Sequence, residues 1–539
     1  MADFYWFSNS TTQSNWNTTG GNCRWYSGSG GTGTRFTTAP TAADNAIFDA
    51  NSGTGPCNVP GGYAGTCLSL LCNGIAGTSP TTTQINGGAG GSISISGSLS
   101  VSPSQVFDVN KTPKMIMTGT GNVTISCNGN SIGDLDISKT GSASVTLNDD
   151  LIGIGNATIN LISGTFNANN KNVTFGCFYT GGTTARTLNM GSGTWMMVFE
   201  GETTAITFNT WEINTTTGLT FNKDTATIKL IHAKNDPSTN SSQVSGLRNA
   251  LTSGATTIDL TDIAAFNLTS GLVLIGNEVI SYSGVNTGTK QLTGLTRGYG
   301  GTTTLSSVPA GTAVTGVLLG NSTLTASLTA GVLSNIGVAN AALFPISGVV
   351  WIENESIPYG GINFGTNELL ATSAPVNNHS IGAAVYSYQA KNFIGGGLTY
   401  NDVVFGCFGY KVINNIYSSN TFSNIKNSNS GFTWTSNSNY YPGFQELALT
   451  NNATNTISTG LSFSGTSSYL QQIYSRTAGV QTTLSIIPAT TLWNVGTHSQ
   501  NGGNNTNLYY VAGFTDYIYW KDIIGLPTSI SAGNFFLLF

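Results

Sequence analysis

At 539 residues the chain is long enough for several domains and a sizeable buried core. Only 8% of its residues are charged, against roughly 25% in an ordinary soluble domain, and 69 are Gly. An aromatic share of 10% argues against a disordered polar tract, and a net charge of −5 with scattered Lys and Arg argues against a nucleic-acid surface, which needs clustered cations.

The N-terminal stretch MADFYWFSNSTTQSNW has neither the basic nor the apolar region of a secretory signal. Its aromatics Phe4, Tyr5, Trp6, Phe7 and Trp16 are expected to cap the end of a β-structure. No apolar run reaches the ~20 residues of a membrane span. Residues 66–72 allow one short helical turn, and no other stretch carries a helical period. Residues 92–101 then alternate with a period of two. Short runs rich in Val, Ile, Thr and Phe continue the pattern at 122–126, 134–137, 143–147, 157–161, 172–175, 186–190 and 226–230, each bounded by Gly or Asn. This monotony predicts an all-β chain: a right-handed parallel β-helix or β-solenoid, with Asn and Gly at its corners and Asn or Thr ladders between rungs.

The middle of the chain contains a duplication. Gly271, Asn277, Glu278, Ile280, Tyr282, Gly284 and Asn286 match Gly348, Asn354, Glu355, Ile357, Tyr359, Gly361 and Asn363 in one register. Further on, Ala313-Val314 realigns with Ala384-Val385. The expected organisation is a cap and solenoid over 1–235, one β-module over 236–318, a second over 319–389, and a resumed solenoid with a C-terminal β region over 390–539. The two tandem modules interrupt the solenoid as an insertion, so the strand at 226–231 should stack on that at 398–405. The apolar end, Phe535–Phe539, is expected to be packed, since each large apolar side chain gains about 1.5–3 kcal/mol on burial.

The segments Tyr5-Trp6, Asn15-Trp16 and Ala43-Asp44-Asn45-Ala46-Ile47-Phe48-Asp49 resemble the opening of solenoid proteins encoded by tailed bacteriophages and some aquatic bacteria. Gly164–Asn170, Arg186–Gly191, Gly395–Asn401 and Thr477–Leu484 are similar to rungs of that family. The duplicated unit, with Ile275–Glu278, Tyr282 and Leu295–Thr302, resembles a small β-module common in phage virion proteins. Its second copy lacks the Thr-Arg-Gly segment and carries His379. The resemblance implies a virion structural protein, a tail fibre, spike or capsid decoration, assembled in the host cytoplasm and exposed on the particle surface. It supplies no catalytic residue.

The residues themselves offer few sites. Glycan hydrolysis needs two carboxylates about 5–9 Å apart, and the candidates are Asp134 with Asp136, Asp149 with Asp150, and Glu200 with Glu202. Solvated strand edges and turns explain them more simply. Glu278 and Glu355 read as turn-capping carboxylates. His232, His379 and His498 lack ligand spacing. The seven cysteines, Cys23, Cys57, Cys67, Cys72, Cys127, Cys177 and Cys407, read as small buried thiols, not as a disulfide framework or a zinc site. Gly87–Gly91 lacks the lysine of a phosphate loop and reads as a turn. Tyr440, Tyr441, Trp493, Tyr509 and Tyr510 could stack on sugars or lie in a core. The expectation is therefore no catalytic, cofactor or metal residue. The protein would act in host attachment or assembly as a homo-oligomer, most simply a trimer. Its partners would be other virion proteins and a host glycan or receptor, with no nucleic acid and no membrane span. The alternative is a tailspike-like depolymerase using a carboxylate pair. A bacterial adhesin is a third class, disfavoured by the missing secretion signal.

Overall fold

The computed structural model describes the chain except for residues 10–13, 74–84, 102–106, 108–111, 155–156, 199–208, 233–243, 264–265, 267–269, 300–303, 318–319, 345–346, 354, 408–410, 428–444, 451–452, 463–471, 476–482, 487–490, 493–497, 500–517 and 520–539. The described residues are all β, with no α-helix and mostly parallel pairing. No helix among them is long and apolar enough to cross a membrane. The helical turn allowed at 66–72 is not formed. That stretch falls in two strands, Ala64–Cys67 and Leu70–Asn73, whose Cys67, Leu70 and Cys72 point inward. The C-terminal peptide Phe535–Phe539 lies outside the described residues.

By its contacts the chain divides into two compact units. The first comprises Met1–Met196, Thr215–Ala226 and Asp236–Val317, and the second Met197–Asn214, Thr227–Asn235 and Leu318–Phe539. In the first unit successive strands stack in register. Ile93 pairs with Met115, Met115 with Leu135, Leu135 with Ile159, and Ile159 with Phe178. These five side chains form a fully buried column. On a second ladder Val123, Val145, Phe166, Leu188 and Phe221 pair in the same way. The period-two alternation thus sends every second residue into one continuous apolar interior, and a slip of one residue would expose the whole column.

The corners explain the Asn and Gly content. Asn128, Asn169 and Asn170 adopt positive φ of 49°, 51° and 62°, a conformation that Asn tolerates better than most residues. Polar side chains also tie each turn to the next. Asn122 accepts from Ser144 N, Asn148 donates to Ser126, Asn170 accepts from Ser192 N, and Asn172 accepts from Thr194 N, each 22 residues away. Amide ladders run Asn222 to Asn189 at 2.7 Å and Asn415 to Asn392 at 2.9 Å.

The aromatic N-terminus begins the first unit. Asp3–Trp6 pairs antiparallel with Trp25–Gly28 and parallel with Asn45–Asp49. Trp6, Trp16 and Trp25 are fully buried, with Trp25 ring centroids 5.2 Å from Trp6 and 4.9 Å from Trp16. The polar members of the Ala43–Asp49 segment fasten this start. Asp44 accepts from Ala2 N and Thr41 N, and Asn45 donates to Asp3.

In the second unit Thr227–His232 pairs in parallel with Asp402–Cys407, starting from Thr227↔Asp402. The chain between them leaves the ladder and returns to it. The return is made by one strand, Ala384–Ile394. Its first half pairs antiparallel with Gly348–Ile352, and its second half pairs in parallel with Lys411–Tyr417. The second duplicated copy therefore runs into the ladder without a break in the strand.

The two copies share a register. Gly271↔Tyr282 and Ile275↔Glu278 in the first correspond to Gly348↔Tyr359 and Ile352↔Glu355 in the second. Ile275↔Val314 corresponds to Ile352↔Val385. Each copy has its own apolar core, built on Val273, Ile280 and Tyr282 in one and Val350, Ile357 and Tyr359 in the other. The first copy rests on the ladder of its own unit, where Thr312 Oγ1 donates to Gly129 O at 2.7 Å and Ala313 N to Ser131 Oγ at 3.2 Å.

Candidate functional site

A groove of about 900 Å³ opens on the first unit. Its walls include Asn58, Gly87–Gly91, Lys114, Asp134 and Asp136. The glycine run turns back beneath Val59, with Gly88 N donating to Val59 O and Gly91 N to Gly88 O. Gly88–Gly91 therefore makes the turn that the sequence suggests, directly after the strand Ile85–Gly87.

The carboxylates here are already occupied. Asp136 faces the Lys114 ammonium on the preceding paired strand at 3.3 Å, and Asp134 Oδ1 accepts from Thr158 N on the following one at 2.9 Å. Neither carboxylate is left open toward the groove as an acid–base pair would need to be: one is ion-paired and the other holds a backbone N–H. The second candidate pair is divided between two jobs. Asp149 accepts from Cys127 N and Asn128 N, while Asp150 accepts from Asn172 N and Asn172 Nδ2. Both brace turns about 22 residues away in the chain. Glu200 and Glu202 lie outside the described residues, as do Tyr440, Tyr441, Trp493, Tyr509 and Tyr510.

The duplicated glutamates are loop anchors. Glu278 is completely buried and holds Arg297 through both carboxylate oxygens, at 2.8 and 2.7 Å, while accepting from Gly298 N and Leu305 N. Glu355 accepts from Val376 N, Asn377 N and Asn377 Nδ2. Burial pushes the Glu355 carboxyl up, but these donors and His379 outweigh it and hold it below its ordinary value.

Lys139 and Arg186 are buried cations that had no reading in the sequence. Lys139 is nearly inaccessible, and its ammonium donates to the carbonyls of Ser96 and Thr118 on two lower turns. Arg186 donates to Thr180 Oγ1 and to the carbonyls of Gly182, Thr184, Thr215 and Thr217. Burial lowers both below their ordinary values. They bind oxygens that a turn leaves without partners, which is why they sit at corners. Only their place beside Gly and Thr runs could have signalled this.

Cys23, Cys57, Cys67, Cys72, Cys127 and Cys177 are buried, and none of them is in a disulfide. Burial pushes the Cys67 and Cys127 thiols well up, so the reactive thiolate is scarce. We expect alkylation of the native protein to leave these six unmodified and alkylation in denaturant to reach all of them, read by peptide mass spectrometry. Native modification of Cys67 or Cys72 would contradict this packing. Among the described residues no group of His, Cys, Asp and Glu has the geometry to hold a metal ion.

Comparison with family models, with curated proteins and with solved structures gives no match for this chain.

Proposed function

We propose that the chain is a non-enzymatic structural protein of a tailed-phage virion, a right-handed β-solenoid displayed on the particle surface as a fibre, spike or decoration. The observation that carries this reading is the use of polar groups. Asn122, Asn148, Asp149, Asp150 and Asn172 are spent on neighbouring turns, which suits a rigid stacked body more than a catalytic surface. The resemblance of the opening motif and of the duplicated modules to phage virion proteins supports the source. The groove beside Lys114 and Asp136 offers paired donors and acceptors for a neutral host glycan, and a homo-oligomer, most simply a trimer, would close contacts between copies.

Mass spectrometry of purified particles tests the proposal. The protein should be present at structural stoichiometry, and its absence from particles would overturn the reading. A depolymerase predicts something different: sustained release of reducing ends from host polysaccharide, lost in Asp134→Ala or Asp136→Ala. No such release is expected.

A further inference from the structure

The two module copies differ at the anchor described above, and the differences belong together. In the first copy the tight turn Ile275-Gly276-Asn277-Glu278 places Gly276 at φ 57°. In the second copy Glu353 stands there, at φ 52°. A left-handed backbone costs a residue with a Cβ roughly 1–2 kcal/mol, which Gly avoids. The glutamate therefore occupies a position that glycine fits better.

What it gains is visible in its partner. His379 is fully buried and lies between two carboxylates. Nδ1 is 3.0 Å from Glu353 Oε2, and Nε2 is 3.1 Å from Glu355 Oε2. A neutral imidazole donates through one nitrogen only, whereas the imidazolium donates through both. Full satisfaction of this arrangement thus requires the charged ring. In the first copy the corresponding carboxylate, Glu278, meets Arg297, which stays charged at any pH a protein survives.

The ring sits in a loop that Glu355 also grips. Val376 N and Asn377 N both donate to that carboxylate. On the other side, His379 and Leu328 exchange two backbone hydrogen bonds, and Gly331 N donates to Pro375 O. The charged groups on the ring are Glu353, from the turn, and Glu355, from the strand; the segment around Leu328 presents its backbone. The gripped loop displays Val376 and Ile381, 79% and 67% exposed, as unpartnered apolar tips.

We propose that the second module carries a pH-sensitive latch: the imidazolium of His379, held between Glu353 and Glu355, fastens the loop 375–381 and releases it when the ring loses its proton, while the first module stays fastened through Arg297. Both bonds are present while the ring is charged, and one of them is lost when it gives up its proton. At the acid end the bond to Glu355 is lost once that group, held below its ordinary carboxyl value, takes up a proton.

Hydrogen exchange of the intact protein, corrected for intrinsic rates, tests the latch between about pH 6 and about pH 8.5, spanning histidine titration. Protection at Val376 and Asn377 is expected to fall about tenfold or more, the worth of one charged hydrogen bond. Gly298 and Leu305, which grip Glu278, should keep theirs. In H379Q protection should be low and flat with pH. E353G restores the residue of the first copy and leaves a single carboxylate that neutral imidazole satisfies; it should fold and also lose the pH dependence. Constant protection in the unaltered protein, or the same pH dependence in both variants, would overturn the latch.

Discussion

Glu278→Ala is expected to cost the first module about 3–5 kcal/mol, because it leaves a buried cation without its partner. The Glu278 side chain is inaccessible and that of Arg297 is 10% exposed. The same truncation removes the acceptor of Gly298 N and Leu305 N. Their loop would then have two backbone donors to return to water, each costing about 1–3 kcal/mol if it stays buried. Limited proteolysis should cut near Arg297 in the variant and not in the parent. A double variant, Glu278→Leu with Arg297→Met, removes both charges and should recover part of the loss. If the single variant resists proteolysis as the parent does, the carboxylate is not the anchor of this loop.

Trp25→Ala carries the other large effect. Trp25 touches Trp6, Trp16 and Phe48 with ring centroids within 5.6 Å, and its Nε1 donates to Trp16 O at 3.0 Å. Removing so large a side chain from a closed core costs about 3–5 kcal/mol. The loss should appear as early exchange of the amides in Asp3–Trp6 and Asn45–Asp49, which frame the cluster. The column from Ile93 to Phe178 lies on later strands of the same sheet, so its amides should stay protected longer. Uniform loss of protection along the whole first unit would show that the aromatic start is not a local body.

Much of this architecture is legible in the residues because the side-chain period of a strand is two. Runs such as Ser92–Ile95 and Ser144–Leu147 alternate cleanly, and their inward residues are buried. The duplication was legible for a similar reason: Gly271 and Tyr282, like Gly348 and Tyr359, are cross-strand partners. The cysteines also follow from composition, since an isolated thiol behaves as a small apolar group. Other features resist such reading. The stretch 66–72 has no alternation strong enough to reject a helical turn, and only pairing with Ser92–Ile95 and Leu99–Val101 decides it. Asp134, Asp136, Asp149 and Asp150 look like acid–base pairs because adjacency in sequence is visible, whereas their partners lie 22–24 residues away in the chain. His379 shows no ligand spacing, since Glu353 and Glu355 reach it across a fold-back of more than twenty residues. The substitution of Gly276 by Glu353 was the available signal.

The account rests on the pairing of Thr227–His232 with Asp402–Cys407, which flank the two modules in sequence. Replacing 236–389 by a short Gly-Ser linker tests it, because the cut joins Thr227–His232 to the ladder half of Ala384–Ile394 while removing both modules. The shortened chain should keep strong β circular dichroism and a cooperative transition. Cysteines placed at Thr227 and Asp402, which are paired neighbours in the ladder, should still be held within cross-linking distance. Two independent transitions, with no cross-link between those positions, would contradict it.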